Sequence, residues 1–190
     1  GEILTTDMLD YMAEQNRPIL LSTGMATFDE IEFALNRLDP EQELEVTVLH
    51  CVSMYPAPAH QINLNVMRTL AQRFERPVGY SDHSLGPECC LGAVALGASV
   101  VEKHVTLDKA MPGPDHAASA TIDEFGTMVD SIRQLEIALG GAEKFVTPEE
   151  AETRGAARKS IVTVRDINPG ETISAGDIAY KRPGTGIPPN

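Results

Sequence analysis

The chain has 190 residues and a formal net charge of −13, with hydrophobic residues at 42% and charged ones at 23%. This is ordinary globular usage, which excludes a disordered chain, and no apolar run approaches the roughly 18 residues of a membrane-spanning helix. Sequence-independent nucleic-acid binding is excluded as well, because it needs clustered Lys and Arg; one small anion held by local cations and backbone N–H groups remains compatible with an acidic surface.

In chain order, short β-rich runs alternate with amphipathic helical stretches. Helices are predicted at Thr6–Gln15, Thr27–Leu38, Asn63–Phe74, Glu88–Leu96 and Ile122–Leu139, and strands at Ile19–Ser22, Val46–His50, Val78–Tyr80 and Val100–His104. Thr27 stands three residues before Glu30 as a capping box, and Gly140-Gly141 closes the last helix. The strands lack clean polar alternation, as parallel strands covered on both faces do. Repeated strand–helix units mean a parallel sheet, either doubly wound or half of a (β/α)8 barrel. A half-barrel leaves sheet edges and an unfilled interior, so further strands are expected upstream. The opening Gly1-Glu2-Ile3-Leu4, without Met or a signal-peptide pattern, likewise reads as part of something longer.

After Gly141 the character changes. Glu143–Arg158 is polar and charge-rich, and Ser160–Val164, Asp166–Gly170, Glu171–Ile173 and Asp177–Tyr180 read as short β segments around the turn Asn168-Pro169-Gly170. The division expected is 1–142 for a partial barrel, 143–158 for a linker and 159–190 for an incomplete β-rich module too small for its own core. Cys51, Cys89 and Cys90 are an odd number without a C-x-x-C, which fits a reducing cytoplasm.

Barrel enzymes carry their chemistry at C-terminal strand ends, where this chain has Ser81-Asp82-His83 and Glu102-Lys103-His104. His83 and His104 are 21 residues apart, about one βα unit, which would bring two imidazoles side by side. Two histidines with open positions suit a borderline divalent ion. Two histidines are also a weak metal signal, and a helix-capping His83 with a hydrogen-bonded core His104 accounts for the same residues.

Six ordered motifs bear on that choice: Ser22-Thr23-Gly24-Met25, His50-Cys51-Val52-Ser53-Met54-Tyr55-Pro56, Val78 to Gly86, Ala93 to Ala98, Glu102-Lys103-His104 and Gly113-Pro114-Asp115-His116. In order and spacing they resemble the N-acetylneuraminate (sialic acid) synthase family. The tail, from Asp166-Ile167-Asn168-Pro169-Gly170-Glu171 to Lys181-Arg182-Pro183-Gly184-Thr185-Gly186, looks like the start of that family's C-terminal antifreeze-like (SAF, β-clip) domain. The resemblance implies an α/β fold, the C-terminal half of a (β/α)8 TIM barrel followed by the start of a small β-rich SAF domain. It implies an enzyme condensing phosphoenolpyruvate with an N-acylated amino sugar, N-acetylmannosamine or a 2,4-diacetamido relative, to give a nonulosonic acid and phosphate.

Site residues follow from the same resemblance. His83 and His104 would hold Mn2+, or another divalent metal such as Mg2+ or Co2+, with Glu102 beside them handling protons or orienting a hydroxyl. Ser22 and Ser81, with Ser53 as a third where the local pattern varies, match positions binding the phosphate or carboxylate of phosphoenolpyruvate. Glu2, Tyr55, Asp115 and Arg182 match positions contacting the sugar, Arg182 reaching the site of the other subunit in a domain-swapped homodimer. His116 reads as a loop residue and His60 as a surface one. The family's phosphoenolpyruvate-binding lysines lie upstream of Gly1, so this chain alone is expected to be inactive. Other readings remain open: a non-catalytic carbohydrate-binding relative, a synthase for spore-coat or surface polysaccharide with another sugar substrate, and a different phosphoenolpyruvate or aldol barrel, which usually lacks the SAF-like tail.

Overall fold

A computed structural model describes residues 1–190, which fall into two units, Gly1–Gly140 and Gly141–Asn190. In the first, a 3-10 turn (Glu2–Leu4) leads into α1 (Thr6–Glu14), β1 (Ile19–Ser22), α2 (Phe28–Leu38), β2 (Val46–Cys51), α3 (Ala59–Ile62), α4 (Val66–Phe74), β3 (Val78–Asp82), α5 (Glu88–Ala95), β4 (Val101–Lys103), β5 (Val105–Thr106), β6 (Ala120–Thr121) and α6 (Ile122–Leu139). Strands β1 to β4 pair in parallel in the order of the sequence. A doubly wound sheet reverses order at a switch point, whereas sequential order with a helix after each strand is a segment of a (β/α)8 barrel. The chain resumes as β5 directly after His104 and pairs in parallel with β6, the two forming a separate two-stranded sheet.

Local signals explain the helices. Thr27 and Glu30 form the capping box of α2, and Ile31, Ala34, Leu35 and Leu38 bury one face at helical spacing. Helix α6 starts on the same device, Thr121 with Glu124, and spans the residues that periodicity predicts. The core lies between these helices and the outer face of the sheet, where Leu9, Ile31, Val48, Met67, Leu70 and Tyr80 are almost fully buried. In β1, Ile19 and Leu21 face that core while Leu20 and Ser22 are exposed on the inner face.

Several expectations are corrected. The helix predicted from Asn63 starts at Val66, because Asn63 takes a left-handed conformation (φ 51°) that separates α3 from α4. The fourth strand is interrupted at His104, and β6 was unseen because two residues are too few to show a period.

In the second unit, the stretch expected as a linker carries α7 (Pro148–Ala157), capped by Thr147 and Glu150 with Pro148 in its first turn. Strand β7 (Ser160–Thr163) pairs antiparallel with β8 (Ile178–Lys181), and Ser160 Oγ donates to the Pro183 carbonyl and accepts from Gly186 N–H. The β segments predicted over Asp166–Gly170 and Glu171–Ile173 are absent. Their polar groups are satisfied locally instead: Glu171 accepts from Asn168 N–H at 2.7 Å, and Arg165 reaches both Glu171 and Asp177. No helix of either unit is long and apolar enough to cross a membrane.

An ion pair ties the end of α2 to the entry of β3. Arg76 lies 2.6 Å from Asp39 Oδ2, the two side chains being 8% and 3% exposed, and also donates to the Leu44 carbonyl. Burial pushes the Asp39 carboxyl up, but the Leu44 and Glu43 N–H groups and Arg76 outweigh it and hold the carboxyl below its ordinary range. A carboxyl depressed in the native state contributes stability above its unfolded pKa near ~4, lost as pH falls through the native value. Arg76→Met is therefore expected to cost about 3 kcal/mol at neutral pH and to move acid unfolding to higher pH. Urea denaturation with a pH series measures both, and an unmoved acid transition would contradict this account.

Candidate active site

The parallel register of β3 and β4 pairs Ser81 with Glu102 and Asp82 with Lys103. Successive residues of a strand point to opposite faces, so these rungs present their side chains on opposite sides of the sheet. On the inner face Ser81 Oγ donates to Glu102 Oε1 at 2.6 Å, with Ser81 buried and Glu102 exposed. On the helix side Lys103 Nζ lies 2.6 Å from Asp82 Oδ2. His83 and His104, one residue beyond, follow the inner face.

The loop after β2 clips His83 at two points. The His83 carbonyl accepts from Ala57 N–H at 2.9 Å, and its ring Nδ1 stands 2.8 Å from the Val52 carbonyl oxygen, with Cys51 Sγ at 3.8 Å. A carbonyl oxygen can only accept, which assigns the proton to Nδ1 and leaves the Nε2 lone pair free. The His104 carbonyl accepts from Ala120 N–H at 2.9 Å, and its Nδ1 lies 4.0 Å from Asp115 Oδ2. The two imidazoles meet edge to face with centroids 5.1 Å apart, and the Tyr55 ring lies 4.1 Å from His83 and 5.3 Å from His104. Partial burial, then Cys51, Asp115 and Glu102, push the Tyr55 hydroxyl up, so it keeps its proton at neutral pH.

His83, His104, Tyr55, Glu102, Ser81 and Asp115 thus gather at adjoining strand ends. Ser22 is exposed at the end of β1, and Ser53 packs against Gly24, where a Cβ would overlap Ser53 Oγ and stand 3.1 Å from Cys51 Sγ. Glu2 is exposed in the opening turn and accepts from Thr5 Oγ1 at 2.5 Å, a local contact. Arg182 is exposed in the second unit, directly after β8. His60 is exposed, and His116 is half-buried with Nδ1 2.8 Å from Thr106 Oγ1.

No group of three or more His, Cys, Asp or Glu side chains is arranged to hold a metal ion. The donor set is the two imidazoles, one with its Nε2 lone pair oriented by a backbone carbonyl, and this fits a borderline divalent ion that keeps positions open for oxygen ligands. A cavity of about 600 Å³ lies away from them on the helix side of β4, lined among others by Leu85, Pro87, Lys103, Ala118 and Met128.

Sequence reasoning passed over Asp82 and Lys103, although both stand inside the quoted motifs. Equal spacing to the histidines and a strand period of two were the available signal, but which strands pair, and in what register, is tertiary information.

Residues 1–144 match the model of the NeuB family and residues 158–190 that of the SAF domain. An N,N'-diacetyllegionaminic acid synthase of Campylobacter jejuni is 45% identical over 189 residues, covering 98% of this chain and 57% of that protein. Among solved structures, the N-acetylneuraminic acid (sialic acid) synthetase of Leptospira borgpetersenii, in complex with citrate, is 35% identical with a TM-score of 0.72, covering 80% of this chain and 53% of that one. A spore coat polysaccharide biosynthesis protein of Bacillus subtilis is 38% identical with a TM-score of 0.69, covering 98% and 56%. The chain spans little more than half the length of the curated relatives it matches.

The Ser81–Glu102 contact depends on the close approach of β3 and β4 just below it. A Cβ on Gly79 would stand 2.7 Å from the Val100 carbonyl oxygen and overlap the Leu49 side chain. Gly79→Ala is expected to force the strands apart and lower stability by about 1–3 kcal/mol. Denaturant unfolding measures the loss; wild-type stability would show that β4 can shift without penalty.

Proposed function

The chain belongs to the NeuB family, and from that premise we propose that the full-length protein is a nonulosonic acid synthase condensing phosphoenolpyruvate with an N-acylated amino sugar. The observation that carries this reading is the meeting of His83 and His104 beside Tyr55, Asp115 and Glu102 at adjoining strand ends. The product is N-acetylneuraminate or a related sialic acid, with phosphate. N-acetylmannosamine and 2,4-diacetamido sugars are the candidate substrates, and relatives named for legionaminic and pseudaminic acids widen the choice rather than narrow it.

His83 and His104 would hold the divalent metal, Mn2+ or else Mg2+ or Co2+. When bound, the ion supplies Lewis-acid polarisation of the carbonyl oxygen of the open-chain sugar. In the reaction C3 of phosphoenolpyruvate forms the new bond to the aldehyde carbon, whose oxygen becomes a hydroxyl; water adds at C2, and phosphate leaves by cleavage of the C2–O bond to give the ketone, the two protons of the water passing to the new hydroxyl and to the departing phosphate. Holding a weak carbon nucleophile in line with its electrophile contributes much of the rate. Ser22, Ser53 and Ser81 offer short hydroxyls for the phosphate or carboxylate of phosphoenolpyruvate. Glu102, accepting from Ser81, is the group that handles a proton or orients a sugar hydroxyl.

Tyr55 and Asp115 are the sugar contacts in the barrel, and the protonated Tyr55 hydroxyl can donate to a sugar oxygen. Glu2 is assigned to the same substrate. Arg182 is assigned to the sugar through the SAF domain of a second subunit in a domain-swapped homodimer. The cysteine usage supports a cytoplasmic enzyme.

Full-length protein supplied with phosphoenolpyruvate, Mn2+ and a panel of N-acylated hexosamines is expected to release phosphate with at least one sugar. His83→Ala is expected to lower turnover by a factor of 100 or more, on the order of 2.7 kcal/mol of transition-state stabilisation, and to weaken Mn2+ binding. Phosphate release with none of the sugars, under conditions where Mn2+ binds, would sink the reading; a fully active His83→Ala would remove the histidine pair from the mechanism.

A further inference from the structure

We propose that Asp82 and Lys103, which face away from the histidines, are positioning residues that hold His83 and His104 together. The role of the site is taken from the synthase reading, while the positioning argument stands on geometry. The Asp82 carboxylate is fully buried and saturated: Oδ1 accepts from Tyr80 OH at 3.0 Å, Ser84 N–H at 2.8 Å and Ser84 Oγ at 2.7 Å, and Oδ2 accepts from Cys90 Sγ at 3.1 Å and Lys103 Nζ at 2.6 Å. Lys103 Nζ also donates to the Ser84 carbonyl at 2.8 Å, and its side chain is 5% exposed. The residues before and after His83 are therefore tied to the residue before His104 through one ammonium group.

The lock matters because the ladder beside it is short. Strand β4 has three residues, and its register with β3 comprises three pairs ending at Asp82 and Lys103. A slip of one residue would turn each side chain of β4 to the other face, taking Glu102 off Ser81 and His104 away from His83. A buried ion pair with one saturated carboxylate penalises that slip, since an unpaired buried charge is costly. The two faces of the sheet then divide the work. One face holds the register, and the other presents the imidazoles whose edge-to-face contact the register creates.

The test uses the full-length protein and the double variant Asp82→Asn/Lys103→Met, which removes both charges and leaves an amide oxygen to accept from Ser84 and Tyr80. At unchanged urea midpoint, Mn2+ affinity read by electron paramagnetic resonance is expected to fall about 10- to 100-fold. In metal-free crystals the ring centroids of His83 and His104 are expected to move off their 5.1 Å separation. A double variant with wild-type affinity and unmoved rings would make the pair purely structural and overturn the proposal. Lys103→Arg keeps the charge and covers the case in which the double variant fails to fold. Its larger fork must displace the carboxylate or release Ser84, so about threefold weaker Mn2+ binding is expected, and wild-type affinity with unmoved rings counts against the proposal. Failure of the wild type to release phosphate would strike the synthase reading, and the ring separation would still decide this one.

Discussion

The site depends on the register between β3 and β4. One pair of rungs, Ser81 with Glu102 and Asp82 with Lys103, places a hydrogen bond on the inner face and an ion pair on the outer. Because side chains alternate along a strand, neither can exist in this form without the other. The outer pair is shielded from water and the inner one is reachable, so the same two strands carry a dry lock and an accessible site. Burial would raise the Asp82 carboxyl, but Lys103, then Ser84 and Cys90, more than offset it and keep the group ionised. That charge in turn pushes the neighbouring Tyr80 hydroxyl and Cys90 thiol, both already raised by burial, further up and keeps them as donors.

Backbone from other elements finishes what the register begins. The loop after β2 gives His83 a carbonyl for its ring and an N–H for its own carbonyl, and β6 gives His104 an N–H. The His83 imidazole is therefore not aimed by its own strand alone. Such outer contacts fix which ring nitrogen is available, which decides whether a histidine can act as a ligand at all. Tyr55, from the same loop, packs on both rings, so the loop sets the edge of the site as well as its geometry.

The acidic character of the chain bears on solubility and not on the chemistry at this centre. In the proposed enzyme an anionic substrate would meet hydroxyls, loop N–H groups and a bound cation, whatever the distant surface charge. The second unit is built differently, from a capped helix, an antiparallel strand pair and turns closed by carboxylates on Arg165 and on backbone N–H groups. Arg182 stands exposed in it, directly after β8.

The amino-acid order announced the alternating elements, the α6 boundaries and the strand-end histidines, because helix periodicity, capping boxes and strand composition are local properties. It also carried the T-P-E-E start of α7, a legible signal inside a stretch whose polarity read as a linker. The pairs Asp39–Arg76 and Asp82–Lys103, the carbonyl behind His83 and the strand β6 were settled only by folding. Each joins residues distant in the sequence through register or burial, and neither is written in the residues next to them. His83 and His104 stood in the sequence as two histidines with two readings; packing against Val52, Ala57, Ala120 and Tyr55 made them a pair.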